Sequence, residues 1–141
     1  MLIALIQGFP SDTTVVKTAC NISRQEKEKI TLLYVIEIDR NYPVDQDVGI
    51  ETDRAEEVLR DMERLCKEQK VRLSGQILQA RFKGAAVVSL ADEQKARYII
   101  VGAEYDLRTE MANFGKTARY IMNHANCDFI VCQSSNLDEK G

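Results

Sequence analysis

Leu2 to Ile6 is an unbroken apolar run that stops at Gln7-Gly8. Apolar residues at consecutive rather than alternate positions mark a strand buried on both faces, and such strands belong to parallel sheets covered by helices. The same kind of run returns at Ile30 to Ile38, Tyr98 to Val101 and Phe129 to Cys132. Between the runs lie stretches of helical periodicity. Pro10-Ser11-Asp12 supplies turn and N-cap chemistry, and Val15, Val16, Ala19, Cys20 and Ile22 then form the inner face of a first helix. Ala55, Val58, Leu59, Met62, Leu65 and Cys66 recur at helical spacing between Glu51 and Gln69. Val71 to Ala80 alternates apolar with polar, as a half-exposed edge strand does. A third helix is predicted over Gly84 to Lys95, with Ala86, Val87, Leu90 and Ala91 inward. A fourth runs from Phe114 to His124, with Phe114, Ala118, Ile121, Met122 and Ala125 as its stripe. Ser134 to Gly141 reads as a polar tail. Alternating strands and helices with long connections predict an α/β three-layer sandwich, Rossmann-like, around a five-stranded parallel sheet.

The 141 residues suit one domain able to bury a core without covalent staples. A net charge of −3, with lysines and arginines dispersed among acids, argues against a nucleic-acid footprint. The four cysteines (Cys20, Cys66, Cys127 and Cys132) form neither a C-x-x-C pair nor a cluster with histidine. They predict reduced thiols, with Cys66 a core residue and Cys127 and Cys132 too far apart along a strand to bridge. No metal site is expected; Asp45 and Asp47 before Gly49 lack the other ligands of a calcium loop. Met1 to Ile6 lacks the basic flank and the length of a signal peptide, and no segment reaches transmembrane length. A cytoplasmic protein without a membrane partner is expected.

One stretch suggests a ligand. Tyr98 to Val101 ends in Gly102, a polar loop follows, and Gly115-Lys116-Thr117 opens a helix. Glycines at the end of a buried strand and at a helix start let backbone N–H groups approach an anion. Gly115-Lys116-Thr117 is not the end of a P-loop, since the upstream glycine of that motif falls on Glu110.

Four segments carry a family resemblance over nearly the whole chain: LIALIQGFPSD, TLLYVIE, YIIVGAE and HANCDFIVCQ. The chain resembles the universal stress protein family. Nucleotide-binding members carry a glycine, two residues, a glycine, nine residues, then a glycine followed by Ser or Thr. Gly102 and Gly115 stand at the outer positions of that pattern with its separation. Tyr105 replaces the middle glycine, Lys116 the Ser or Thr, and Gln7 the aspartate that usually ends the first strand. A standard ATP site therefore does not follow from the likeness.

The resemblance implies a strand order of 3-2-1-4-5, with a crevice at the C-terminal ends of the first and fourth strands. Gln7, Gly8, Gly102 and Ala103 would line it, and the amides of Gly115, Lys116 and Thr117 would point into it. Lys116 would add charge, Val35 would end the second strand where members contact adenine through the backbone, and Tyr105 would fill the crevice or stack on a ligand ring. The resemblance further implies a homodimer through the edge strand Phe129, Ile130, Val131 and Cys132, although Asp128 replaces the usual proline before it.

The expected function is a homodimeric stress-response or signalling module with a weak site for ATP or another adenine nucleotide, needing no cofactor and serving an unidentified protein partner. The alternatives are an interaction scaffold with a vestigial pocket, or a slow ATP hydrolase. Hydrolysis ranks last because no clear general base stands beside the crevice, Glu104 and Asp106 being only neighbours. No catalytic residue is assigned. His124, the only histidine, sits near a helix end, where its charge suits the dipole. Gln7-Gly8 lacks the acidic cluster of a receiver domain, and aromatic flavin walls are not evident.

Overall fold

The computed structural model of the protein describes residues 1–106, 111–113 and 115–133. Its elements follow the predicted alternation. Strand β1 spans Leu2–Leu5, helix α1 Asp12–Glu26, β2 Ile30–Glu37, α2 Gly49–Cys66 followed by a single 3-10 turn Lys67–Gln69, β3 Leu73–Ala80, α3 Lys83–Gln94 and β4 Tyr98–Gly102. Then come β5 Glu104–Asp106, β6 Met111–Asn113, α4 Gly115–His124 and β7 Asp128–Cys132.

Five strands form one parallel sheet in the order β3-β2-β1-β4-β7. Counted as sheet strands, this is the expected 3-2-1-4-5. Period-two alternation divides the apolar residues between two layers. Leu2, Ala4, Ile6, Leu32 and Ile100 pack with Val15, Val16, Ala19 and Leu59 under α1 and α2. Ile3, Leu5, Leu33, Ile99 and Val101 pack with Val87, Leu90, Ala118 and Ile121 under α3 and α4. Every residue of β1 is fully buried, the outcome its unbroken apolar run dictates. The edge strand β3 has no fully buried residue, in keeping with its alternation.

Three differences from the sequence reading have local causes. Leu65 and Met122, assigned to inner faces, are 42% and 54% exposed, because each falls on the flank of a stripe that Leu59 and Cys66, or Ala118 and Ile121, already fill. The polar loop after Gly102 contains an antiparallel pair, Glu104 opposite Asn113 and Tyr105 opposite Ala112. Neither three-residue strand carries the apolar run that revealed the others. Phe114 and the tail from Ser134 lie outside the described residues.

Helices α1 and α3 and the 3-10 turn each end at a lysine with left-handed backbone: Lys27, Lys95 and Lys70, all at φ 55°. A side chain there costs energy that glycine avoids. Lys95→Gly is expected to stabilise the fold by about 0.5–1 kcal/mol. Urea denaturation checks this, and a variant no more stable than the parent would contradict it.

Candidate functional site

The strand order reverses direction at β1. From there α1 leaves over one face of the sheet, while α4, which follows β4, lies on the other. A crevice opens at the C-terminal ends of adjacent strands at such a point. Gln7 and Gly8 follow β1, Gly102 ends β4 and Ala103 follows it. The parallel pairing of β1 with β4 sets these residues at neighbouring strand ends, and Ala103 N–H donates to the Cys132 carbonyl at 2.7 Å on the other side.

The α1 side of the crevice is already filled by the chain itself. Gly8 turns at φ +77° and Phe9-Pro10 leads into α1. The Asp12 carboxylate reaches back to accept the N–H of Gln7 at 3.1 Å and of Gly8 at 2.8 Å. These two amides end a buried strand, where an external anion would otherwise be their partner. Asp12 is only 3% exposed, and burial raises its pKa above the ordinary carboxylate value. The amides of Gln7, Gly8 and Phe9 and the charge of Lys83 oppose that rise without cancelling it. Ser11, in the N-cap position, makes no side-chain cap bond. Its hydroxyl instead donates to the Ala103 carbonyl at 3.4 Å and covers Gly102. Gly102 therefore has a packing reason to be glycine, since a Cβ there would meet Ser11 Oγ at 2.0 Å.

Cations surround the open side. Lys83 Nζ lies 3.4 Å from Gln7 Oε1 and 5.7 Å from the Phe9 ring centroid. Arg54 Nη2 and Tyr34 Oη both come to 4.0 Å from where a Gly8 Cβ would stand. Across the sheet, Gly115 starts α4 at φ +68°, a left-handed conformation that glycine tolerates. Thr117 is buried, while Lys116 is exposed and holds its ammonium 5.1 Å from the Phe82 ring centroid. Phe82 packs edge-on against Tyr120, and Tyr120 stacks on His124.

Arg40, Arg81, Phe82, Lys116 and Tyr120 line a groove of about 800 Å³ beside the crevice. Arg81 Nη1 donates to the carbonyls of Asp39 at 2.5 Å and Tyr42 at 2.7 Å and so holds the loop after β2 in place.

Val35 lies elsewhere than expected. Strand β2 continues to Glu37, so Val35 is two residues inside it, pairs with Leu78 and buries its side chain under α3. The apolar run hid the strand end because Ile36 and Ile38 prolong it. Tyr105 has its backbone in β5; its side chain, with those of Glu104 and Asp106, lies outside the described residues. Phe129, Ile130 and Val131 are half-buried on β7, whose one ladder partner among the described residues is β4. Cys132 turns inward, its thiol 3.5 Å from Thr18 Oγ1.

The residues missed by sequence reasoning are Asp12 as an internal anion, Ser11 as the cover of Gly102, and Lys83, Arg54 and Phe82 at the rim. Phe82-Lys83 just before a helix, at the end of a strand, was the available signal. Among the described residues no group of three His, Cys, Asp or Glu is placed to hold a metal ion. No helix among them is long and apolar enough to cross a membrane.

Solved structures share this architecture. A universal stress protein from Archaeoglobus fulgidus is 16% identical, with a TM-score of 0.78 over 93% of this chain and 96% of that one. The Archaeoglobus fulgidus universal stress protein in complex with dAMP matches at 16% identity and a TM-score of 0.68, covering 93% and 95%. A universal stress protein family protein from Arabidopsis thaliana with AMP bound matches at 16% identity and 0.65, covering 99% and 94%. No curated protein matches the chain. The model of the universal stress protein family matches residues 2–133, which contain the whole sheet and every helix described above. The chain belongs to the universal stress protein family.

Proposed function

We propose that this protein is a cytoplasmic binding module that takes an adenine nucleotide weakly at the C-terminal ends of β1 and β4 and pairs with a second copy through β7. The carrying observation is the set of cations around an otherwise acidic chain's strand ends: Lys83 at Gln7, Arg54 at Gly8 and Lys116 at the start of α4. A left-handed Gly115 opens α4, and the first amides of a helix favour a phosphate. Phe82 and Phe9, each under one of these lysines, offer flat surface to a base. Relatives carry dAMP and AMP in their solved structures, which supports an adenine nucleotide over other anions. The reading is of binding rather than hydrolysis, because the buried Asp12 carboxylate spends its oxygens on the Gln7 and Gly8 amides.

Those same contacts favour a second reading. With Asp12 on the strand-end amides and Ser11 over Gly102, the crevice is vestigial and the protein is an interaction scaffold. Isothermal titration with ATP, with and without magnesium, separates the two. The nucleotide reading predicts saturable heat with a Kd of about 0.1–1 mM. Lys116→Glu should weaken it at least about tenfold, the worth of a charged contact reversed in sign. No heat at millimolar ATP supports the scaffold.

A further inference from the structure

The structure assigns a modification site to the buried pair Cys20 and Cys66, on the opposite side of the domain's core from the groove described above. We propose that a peroxide converts this pair to a disulfide that staples α1 to α2. Cys20 Sγ and Cys66 Sγ lie 2.9 Å apart, against about 2.05 Å for the bond itself, so a small side-chain adjustment closes the gap. The residues are 46 apart in sequence and sit on two helices packed against each other. Their exposures are 4% and 1%, yet the pair is not sealed. A groove of about 260 Å³ between α1 and α2 is lined by Lys17, Cys20, Arg24, Leu65 and Gln69. It offers a small oxidant a path to Cys20 past the side chains of Lys17 and Arg24.

The two cysteines have different surroundings. Cys66 does not line that groove, and burial, with the Cys20 contact and the charge of Glu63 adding, raises its pKa and keeps it a thiol. Cys20 is therefore the sulfur that is oxidised first. Its sulfur takes one oxygen from hydrogen peroxide, giving sulfenic acid and water. The Cys66 sulfur then attacks the Cys20 sulfur. The S–O bond breaks, the hydroxide leaves with the Cys66 proton as a second water, and the S–S bond forms. Two thiols lose two electrons and two protons, and the peroxide is reduced to two waters. A dithiol reductant reverses the reaction.

The crosslink joins the helices that carry Asp12 and Arg54, but the proposal does not depend on nucleotide binding. The test treats the full chain with hydrogen peroxide, then measures intact mass and maps peptides without reduction. The expected result is loss of two hydrogens, a Cys20–Cys66 linked peptide, reversal by dithiothreitol, and a rise in Tm of about 10 °C from closing so long a loop. The Cys127→Ser/Cys132→Ser double variant should retain the mass loss, and Cys20→Ser should abolish it. An unchanged mass, a linkage to Cys127 or Cys132, or Cys20 oxidised further while Cys66 stays free would each overturn the proposal. Mapping the native sequence decides even if a serine variant fails to fold.

Discussion

Gly102→Ala is expected to destabilise the fold by about 3 kcal/mol, or about 10 °C in Tm, although it adds one methyl group. The added Cβ would lie 2.0 Å from Ser11 Oγ, 2.6 Å from Ser11 Cβ and 3.5 Å from Val15 Cγ2. Rotating the hydroxyl relieves only the first contact. The Ser11 Cβ is fixed by the backbone at the start of α1, where the Ser11 carbonyl already accepts the Val15 N–H at 3.0 Å. Relief requires α1 to move off β4, and α1 is packed there through Val15 and Val16 into the core. Removing the obstacle should restore most of the loss. In a double-mutant cycle, Ser11→Gly combined with Gly102→Ala is expected to be at least about 1 kcal/mol more stable than the sum of the single changes. A Gly102→Ala protein within about 0.5 kcal/mol of the parent in chemical denaturation would show that the contact is not tight.

The second large effect concerns Asp12. Asp12→Ala leaves the Gln7 and Gly8 amides without their acceptor at the end of a buried strand, and a cost of about 2–4 kcal/mol is expected. Asp12→Asn should fall between, since one carbonyl oxygen remains and the amide hydrogens face donors.

The pH dependence has a definite sign. The Asp12 carboxyl titrates above 3.8 in the fold, chiefly because burial disfavours its charge. The folded chain therefore holds that proton more tightly than the unfolded chain does. Its contribution to stability is complete below 3.8 and declines as pH rises through the folded value. The stability of the parent relative to Asp12→Asn should accordingly decrease from acid toward neutral pH. A difference that grows over that window would mean that the amides, not burial, dominate.

How much of this was legible in the sequence depends on the kind of signal. Strands β1, β2 and β4 were visible because burial on both faces leaves little room for polar residues, as in Leu2 to Ile6, and β7 through its short apolar run Phe129 to Cys132. The helices were visible through periodicity, with errors confined to flank positions such as Leu65 and Met122. Strand order came from family likeness, since local sequence does not encode which strand lies beside β1. The site was half legible. Gly102 and Gly115 stood out as glycines, but the contact that requires Gly102 spans 91 residues, from Ser11, and no local pattern announces it. Asp12 read as an ordinary helix start. That its carboxylate turns back to Gln7 and Gly8 follows from the left-handed Gly8, which folds the turn over the strand end.

The most direct test of the nucleotide site is a titration of the nitrogen-15 labelled protein with AMP, read as backbone amide shifts. The proposal predicts saturable shifts centred on Gly8, Gly102, Ala103, Gly115, Lys116 and Thr117, with the amides of β3 and the α1–α2 groove unmoved. An unchanged spectrum at millimolar AMP, or shifts centred away from the ends of β1 and β4, would contradict it.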